Sequence, residues 1–359
     1  MPLTKYPAGP IPVLENLVGS PVPKYGKDFL IARSCLAHVG VAPENSRAQI
    51  EVLDGRPWRG QEQQTDVRRS DGQRYPVLND EEAAFISYAT QEYAPARDID
   101  NKKLAKYGEK AQAHLVRMLA LAKRTLFLTE ERLVSELLFT AANWGANTGT
   151  LVALAGGSGV KFTAAGATEF SDLALAARLA AATFGNVNPT DMVIGVAAFD
   201  ALKSATETRI NITTNLSSIS LIDEAVKDLI RSATGVIRVH VGRAQVENAR
   251  SGAASSKGNL WGDSAAFYWR DVDATPSPSG IETTNGTALG IYVEGDGVSV
   301  ADEDGLILPG YFGHQIVEDN PPTTTMVAGT ERAQVFLTET DQSTGTVLPP
   351  RGYLVTDLV

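Results

Sequence analysis

The 359-residue chain has one cysteine, Cys35, and four histidines (His38, His114, His240 and His314), no two closer than 74 residues. A single thiol excludes an intrachain disulfide and any cysteine-based zinc cluster, and leaves Cys35 to act as a small apolar side chain. The histidine spacing leaves no H-x-x-x-H or H-E-x-x-H pair, so no local zinc motif exists. No apolar run approaches the roughly eighteen residues that would cross a bilayer. The N-terminal MPLTKYPAGPIPVLENL lacks a basic start followed by an apolar core, so it does not read as a secretory signal. Cations are outnumbered: the net charge of −10 argues against a dedicated nucleic-acid binder, which gains affinity by neutralising phosphates. An acidic wall beside nucleic acid would instead repel it and leave it free to move.

Two local absences divide the chain. Lysine is missing between Lys27 and Lys102, and residues 46–97 carry seven arginines against nine carboxylates. The arginine fork suits fixed ion pairs at interfaces better than lysine does. Proline is missing between Ala96 and Asn188, which frees that stretch for long helices.

Six prolines before residue 25 make residues 1–45 an extended arm. Its apolar Val13, Leu14, Leu17, Val18, Phe29, Leu30 and Ile31 imply that it docks on something. Residues 46–97 read as a long β-hairpin, with RAQIEVLDG ending at Asp54-Gly55 and a second turn at Asp71-Gly72. A two-stranded hairpin is marginal alone, so it needs a surface to rest on, here expected on a neighbouring subunit.

A spine helix is expected from Asp98 to about Phe127. Leu104, Ala111, Met118 and Thr125 recur every seven residues, Gly108, Leu115 and Ala122 fill the alternate turns, and Asp98 or Asp100 caps the start. A second helix is expected from Thr129, a loop over 147–163 and a helix over 171–184. MVIGV then reads as a buried strand before a short helix. A helix capped by Ser220 and ended by Gly235 follows, then the VIRVHVG strand and one strand in NLWGDSAAFYWRDV. Beyond Thr275 the chain reads as β. The fold class is α+β: residues 98–140 hold the spine, 141–274 an α/β unit with a small mixed sheet, and 275–359 a β-rich part.

The motifs that would carry chemistry fail on inspection. Gly156-Gly157-Ser158-Gly159 lacks the Gly-Lys-Ser/Thr of a phosphate loop, and no G-x-S-x-G nucleophile elbow occurs. Asp302-Glu303-Asp304-Gly305 does not place alternate oxygen ligands in calcium-loop register. His240, inside a predicted strand, reads as structural. Catalytic, metal and cofactor residues are therefore expected to be none, and the protein is read as a non-enzyme.

From Ile99 to Ser279 the order of phrases resembles the major capsid proteins of tailed bacteriophages, the Hong Kong 97 type. The spine runs into RLVSELLFTAANW. An alanine-rich helix precedes NVNPTDMVIGVAAFDAL. LIDEAVKDLIRSATGVIRVHVGRAQVENA and the Trp-Gly phrase of NLWGDSAAFYW then follow. The resemblance covers about half the chain and fades in the last 80 residues.

It implies a structural shell protein with no cofactor. The spine and a long sheet would form a peripheral domain, to which 275–359 returns, and 141–274 an axial domain. Hexamers and pentamers of the chain itself would tile an icosahedral virion shell around double-stranded DNA, assembled in the host cytoplasm and touching that DNA only weakly. Expected partners are a separate scaffolding protein, a portal and, in some shells, a decoration protein, with no membrane. The alternative in the same fold is an encapsulin-like nanocompartment packaging an enzyme. Because the extended loop has no lysine, no loop-borne lysine–asparagine crosslink is expected.

Arg56, Trp58, Arg59, Arg68 and Arg69, near the hairpin tip, are the expected intersubunit contacts. Reversing the charge of Arg68 and Arg69 together should lower assembly yield, read by sedimentation of assembled against free protein. Unchanged yield would remove them from the interface.

Overall fold

The structure is a computed structural model that describes residues 30–53, 83–164, 167–204, 219–247, 256–270, 275–277, 280–283, 286–294, 298–301, 307–319, 322–338, 340–341, 346–347 and 349–359. The chain enters through a one-turn helix, α1 (Ala32–Cys35), and strand β1 (Ala37–Val41). Strands β2 (Arg47–Leu53) and β3 (Ala83–Ala89) pair antiparallel, Arg47 opposite Ala89 and Leu53 opposite Ala83. These are the base of the expected hairpin; both Asp-Gly turns lie outside the described residues. β4 (Gln91–Tyr93) and β5 (Ala96–Asp100) lead into α2 (Asn101–Lys106) and the long α3 (Ala111–Phe139).

The spine helix begins later and ends later than its sequence pattern suggests. Residues 96–100 are strand, and Asp100 caps only the short α2, accepting from the Lys102 amide at 2.7 Å. Gly108 takes φ +52°, a left-handed conformation that glycine adopts without penalty, and the helix restarts at Ala111. It then passes straight through Thr129, the expected start of a second helix. The Thr125 and Thr129 hydroxyls donate to the carbonyls four residues back, so Thr129 behaves as a mid-helix threonine and not as a cap. The buried stripe is Leu115, Met118, Leu119, Ala122 and Leu126, while Thr125 is exposed. A strict seven-residue repeat drifts off one face of a 3.6-residue helix, so Leu119 and Leu126 take over the seam. At 29 residues, α3 is about 43 Å long.

Next come α4 (Ala141–Trp144), β6 (Thr148–Thr150), α5 (Glu169–Thr183), β7 (Asp191–Gly195), α6 (Val196–Ser204), α7 (Ile219–Thr234) and β8 (Arg238–Gly242). Ser220 lies inside α7, which already begins at Ile219, so it is not the cap. Gly235, at φ +76°, does end that helix. β9 (Gln245–Glu247) pairs antiparallel with β10 (Lys257–Asn259), and β11 (Ala265–Tyr268) follows. Of the phrase NLWGDSAAFYWRDV the strand is β11 alone; β10 ends at its first residue, Asn259, and a corner at Trp261-Gly262 lies between them.

The remainder is strand: β12 (Thr275–Ser277), β13 (Gly280–Thr283), β14 (Ala288–Val293), β15 (Val298–Ala301), β16 (Ile307–Asp319), β17 (Pro322–Phe336), β18 (Thr340–Asp341), β19 (Thr346–Val347) and β20 (Tyr353–Thr356).

Three sheets organise these elements. A seven-stranded sheet runs β1-β14-β17-β16-β15, with β4 and β5 also on β17. The apolar stripe of α3 lies on it, burying Ile99, Tyr311, Met326 and Ala328. Full burial of each large apolar chain there contributes about 2 kcal/mol. A four-stranded sheet, β12-β13-β2-β3, extends the hairpin base with strands of the same chain.

A five-stranded mixed sheet, β6-β20-β11-β7-β8, is covered on both faces. Met192, Ile194, Ala265 and Phe267 point to α5, α6 and α7, whereas Val193, Ala266 and Tyr268 point to α1, the end of α3 and Trp144. With both faces dry, the central strands β7 and β11 are buried at every residue, whereas the edge strand β8 alternates half-buried Arg238 and His240 with buried valines.

Gly195 closes β7 against the Trp261-Gly262 corner. A Cβ there would stand 1.7 Å from the Gly262 carbonyl oxygen, and neither backbone can yield cheaply. Gly195→Ala should therefore cost more than about 3 kcal/mol, or abolish soluble protein. Gly108→Ala has open space around it and should cost about 1 kcal/mol, the left-handed strain alone. Urea midpoints of the two variants give the comparison; equal losses would contradict the account.

Candidate functional site: a buried ionic junction

The neighbours Glu130 and Glu131 on α3 are 4% and 1% exposed. Successive residues on a helix point about 100° apart, so the two carboxylates serve different elements. Glu130 faces the seven-stranded sheet. It accepts from Arg332 Nη1 at 2.6 Å, from Arg33 Nε at 3.3 Å and from the Tyr311 hydroxyl. Arg332 Nε in turn donates to Thr330 Oγ1 at 2.8 Å, and that hydroxyl donates to the Gly310 carbonyl at 2.7 Å. Glu131 faces α1 and the Trp261 corner. Its oxygens accept from the Ala32 amide at 2.6 Å and from Trp261 Nε1 at 2.9 Å.

Aromatic rings wall in the charges. The Arg33 guanidinium lies 4.1 Å from the Phe127 ring centre, and that of Arg332 lies 4.1 Å from the Tyr311 ring centre. Phe127 and Tyr311 meet edge to face at 86°. Each cation is thus held by a carboxylate and a π face at once.

The electrostatics of the two carboxylates diverge. Burial alone would raise Glu130, but the guanidinia of Arg332 and Arg33 and the Tyr311 hydroxyl bring it below the ordinary carboxylate value. Glu131 has no cation; burial pushes it up to about 7, against the Ala32 and Trp261 N–H donors, and the neighbouring Glu130 charge adds to the rise. His38, on β1, is lowered to about 4 by burial, with Arg332 and Arg33 opposing its protonation and Glu130 favouring it. Burial likewise raises Cys35 and Tyr268.

The one-turn α1 is held on its other side as well. Tyr268 donates to the Cys35 carbonyl at 2.8 Å and Arg270 Nη1 to the Ser34 carbonyl at 2.9 Å. Ser34 Oγ lies 3.3 Å from His240 Nδ1, whose Nε2 is 3.1 Å from Asp191 Oδ1. That order matches a Ser-His-Asp nucleophile, yet the groups are otherwise engaged. The Ser34 hydroxyl donates to the Ile31 carbonyl at 2.8 Å, and Arg238 grips both Asp191 oxygens at 2.8 and 2.7 Å. An Asp neutralised by a bidentate arginine is poorly placed to stabilise an imidazolium. The line therefore pins α1 to β7 and β8, the structural role expected of His240. Among the described residues no group of three His, Cys, Asp or Glu side chains converges to hold a metal ion.

Arg56, Trp58, Arg59, Arg68 and Arg69 lie outside the described residues. The sequence reading did not single out Glu130, Glu131, Arg33, Tyr311 or Arg332. One signal is present: two adjacent acids, Glu130 and Glu131, follow a helix stretch dominated by Lys and Arg. Their partners are 97 to 202 residues away in sequence, so no local pattern names them.

The sequence itself matches no protein-family model and no curated protein. Among solved structures, a phage-related protein of Bordetella bronchiseptica is similar at TM-score 0.57 and 14% identity, with 97% of each chain covered. The chain shares the fold of that phage-related protein. The mature capsid of bacteriophage PhiM1 aligns at TM-score 0.43 and 10% identity over 95% of this chain and 91% of that one. The holo-encapsulin complex of Synechococcus elongatus aligns at 0.39 and 8%, over 94% and 90%. Within this fold the junction joins α1 to the long helix α3 and to the sheets on either side of it.

His38 and Glu131 give the junction opposite pH responses. His38 favours the folded state only while neutral, so its contribution is complete above its ordinary value of 6.5 and is lost as pH falls toward 4. Glu131 favours the folded state while protonated, so its contribution is complete below 4.5 and is lost as pH rises through 7. Each amounts to about 3 kcal/mol, and over pH 4.5 to 6.5 they offset one another. His38→Gln should therefore lose stability as pH rises across that window, and Glu131→Gln should gain it, with the parent nearly flat between them. Thermal melts of the three proteins at half-unit pH steps provide the measurement, and parallel curves would refute the assignment.

Proposed function

We propose that the chain is a structural subunit, the major capsid protein of a tailed bacteriophage. It assembles through hexamers and pentamers into an icosahedral shell that encloses double-stranded DNA, and its place is the virion. The observation that carries this is the end-to-end correspondence, 97% of both chains, with a protein described as phage-related. The junction supports a subunit built to transmit load. The ion pairs of Glu130 with Arg33 and Arg332, costly to break where buried, fix α1 and the seven-stranded sheet to α3, and the Tyr268 hydrogen bond ties α1 to the five-stranded sheet. Disturbance of the arm therefore reaches the sheets directly.

The hairpin base supports the same reading. β2 and β3 are braced by β13 of their own chain, with Ile281 beside Ile50. The 29 residues between Leu53 and Ala83 thus start from a fixed platform. In this proposal that segment, with Arg56, Trp58, Arg59, Arg68 and Arg69, lies on a neighbouring subunit. Of the arm expected over 1–45 only the part before Ile31 reaches another, because Ile31 to Val41 pack into this chain's own core and sheet. The spine and seven-stranded sheet form the peripheral domain, and the five-stranded sheet with α5, α6 and α7 forms the axial one. A separate scaffolding protein and a portal act in assembly. Among the described residues no helix is long and apolar enough to cross a membrane.

Electron microscopy of the purified protein, with light scattering for mass, tests this. Closed shells or six- and five-membered rings are expected, alone or with a scaffold co-expressed. Shells holding protein cargo and excluding DNA would replace the viral reading with a cellular compartment. A species that stays monomeric or dimeric with scaffold present would overturn both.

A further inference from the structure

The long helix separates its chemistry by face. Leu115, Met118, Leu119, Ala122 and Leu126 are buried against the sheet, while Arg117, Leu121 and Arg124 are exposed on the opposite side. Lys110, Arg117 and Arg124 are spaced by seven residues, close to two helical turns, so they share that outward face. Upstream, Lys102, Lys103 and Lys106 of α2 are exposed too. Residues 101–128 together contain seven cations against a single carboxylate, Glu109, in a chain whose net charge is −10. The negative balance is therefore not spread evenly: cations gather on α2 and the start of α3, three of them, Lys110, Arg117 and Arg124, along one face. Beside the lysines, Tyr107 is stacked on His114, ring centres 4.4 Å apart and 14° from parallel, so a flat aromatic pair flanks the cationic turn.

We infer that this outward face of α2 and α3 is a contact surface for the sugar-phosphate backbone of double-stranded DNA. From Lys110 to Arg124 the stripe is about 21 Å long, and duplex DNA carries one charge per 1.7 Å or so, so about a dozen phosphates pass under it. Four of the seven cations lie between 102 and 110 and are lysines. They are mobile point charges that neutralise phosphate without demanding a fixed geometry. Such a surface binds weakly, without sequence preference and with strong salt dependence. It replaces a uniformly repelling acidic wall with a repelling surface crossed by one attracting stripe. The inference depends on the shell reading for the source of the DNA, while the binding itself is measured on the subunit.

The test uses full-length protein kept below its assembly concentration and a fluorescein-labelled 30-base-pair duplex of random sequence, followed by anisotropy. About four phosphate contacts predict that affinity falls roughly a hundredfold between 50 and 200 mM salt. The variant Lys103→Glu/Lys110→Glu/Arg117→Glu should bind at least tenfold more weakly at 50 mM salt and show a shallower salt slope. Its thermal midpoint should be unchanged, because all three positions are exposed. No binding by the parent protein at 50 mM salt, or equal binding by parent and variant, would overturn the inference.

Assembly is scored separately. Shells that form from a protein with no DNA affinity would leave the capsid reading intact and remove this one. DNA binding by a chain that never assembles would do the reverse. A variant that fails to assemble in the absence of DNA would make the stripe a subunit interface and overturn its assignment to DNA.

Discussion

Glu130 is the residue on which the structure turns. A carboxylate taken out of water costs several kcal/mol unless its lone pairs are answered, and here two guanidinia and a phenol answer them. Those groups come from α1, β16 and β17, so the requirement of one buried charge brings the residues after the arm, the spine and the large sheet to a single point. Removing Arg332 would leave the buried Glu130 only the half-buried Arg33 and a phenol to answer it. Its neighbour Glu131, turned about 100° away, performs the same service for the Trp261 corner with N–H donors alone. That difference in partners separates the two side chains in protonation although they are adjacent.

This arrangement suits the mechanical role proposed for the chain. Apolar burial fixes the spine on its sheet, but apolar contacts slide; hydrogen-bonded charge pairs have one geometry. Glycines complete the fit where backbones must meet, as Gly195 does against Gly262 and Gly242 beneath Trp261, where a Cβ would come 2.1 Å from the ring.

Much of the fold is legible in the amino-acid order. MVIG and AAFY are apolar on both sides because both faces of their sheet are covered, and that pattern marks buried strands without any tertiary knowledge. Gly235 after α7 and the β character beyond Thr275 are equally plain. The spine was legible as a helix but not in its limits. Asp98 and Thr129 look like starts, yet the first lies in a strand bonded to β17 and the second donates its hydroxyl back into an unbroken helix.

What the sequence determined by itself is local. Composition, period and turn chemistry set the element types, the single thiol excluded disulfides, and the ordered phrases from the spine to the Trp-Gly corner pointed to a capsid fold. Tertiary structure alone decided the junction, the bracing of the hairpin by β13 and the placing of β20 between β6 and β11. The physical reason is range. A helix or a turn is chosen by groups a few residues apart. Glu130 acquires its partners from positions 97 to 202 residues away, and only the folded chain brings their charges within reach of one another.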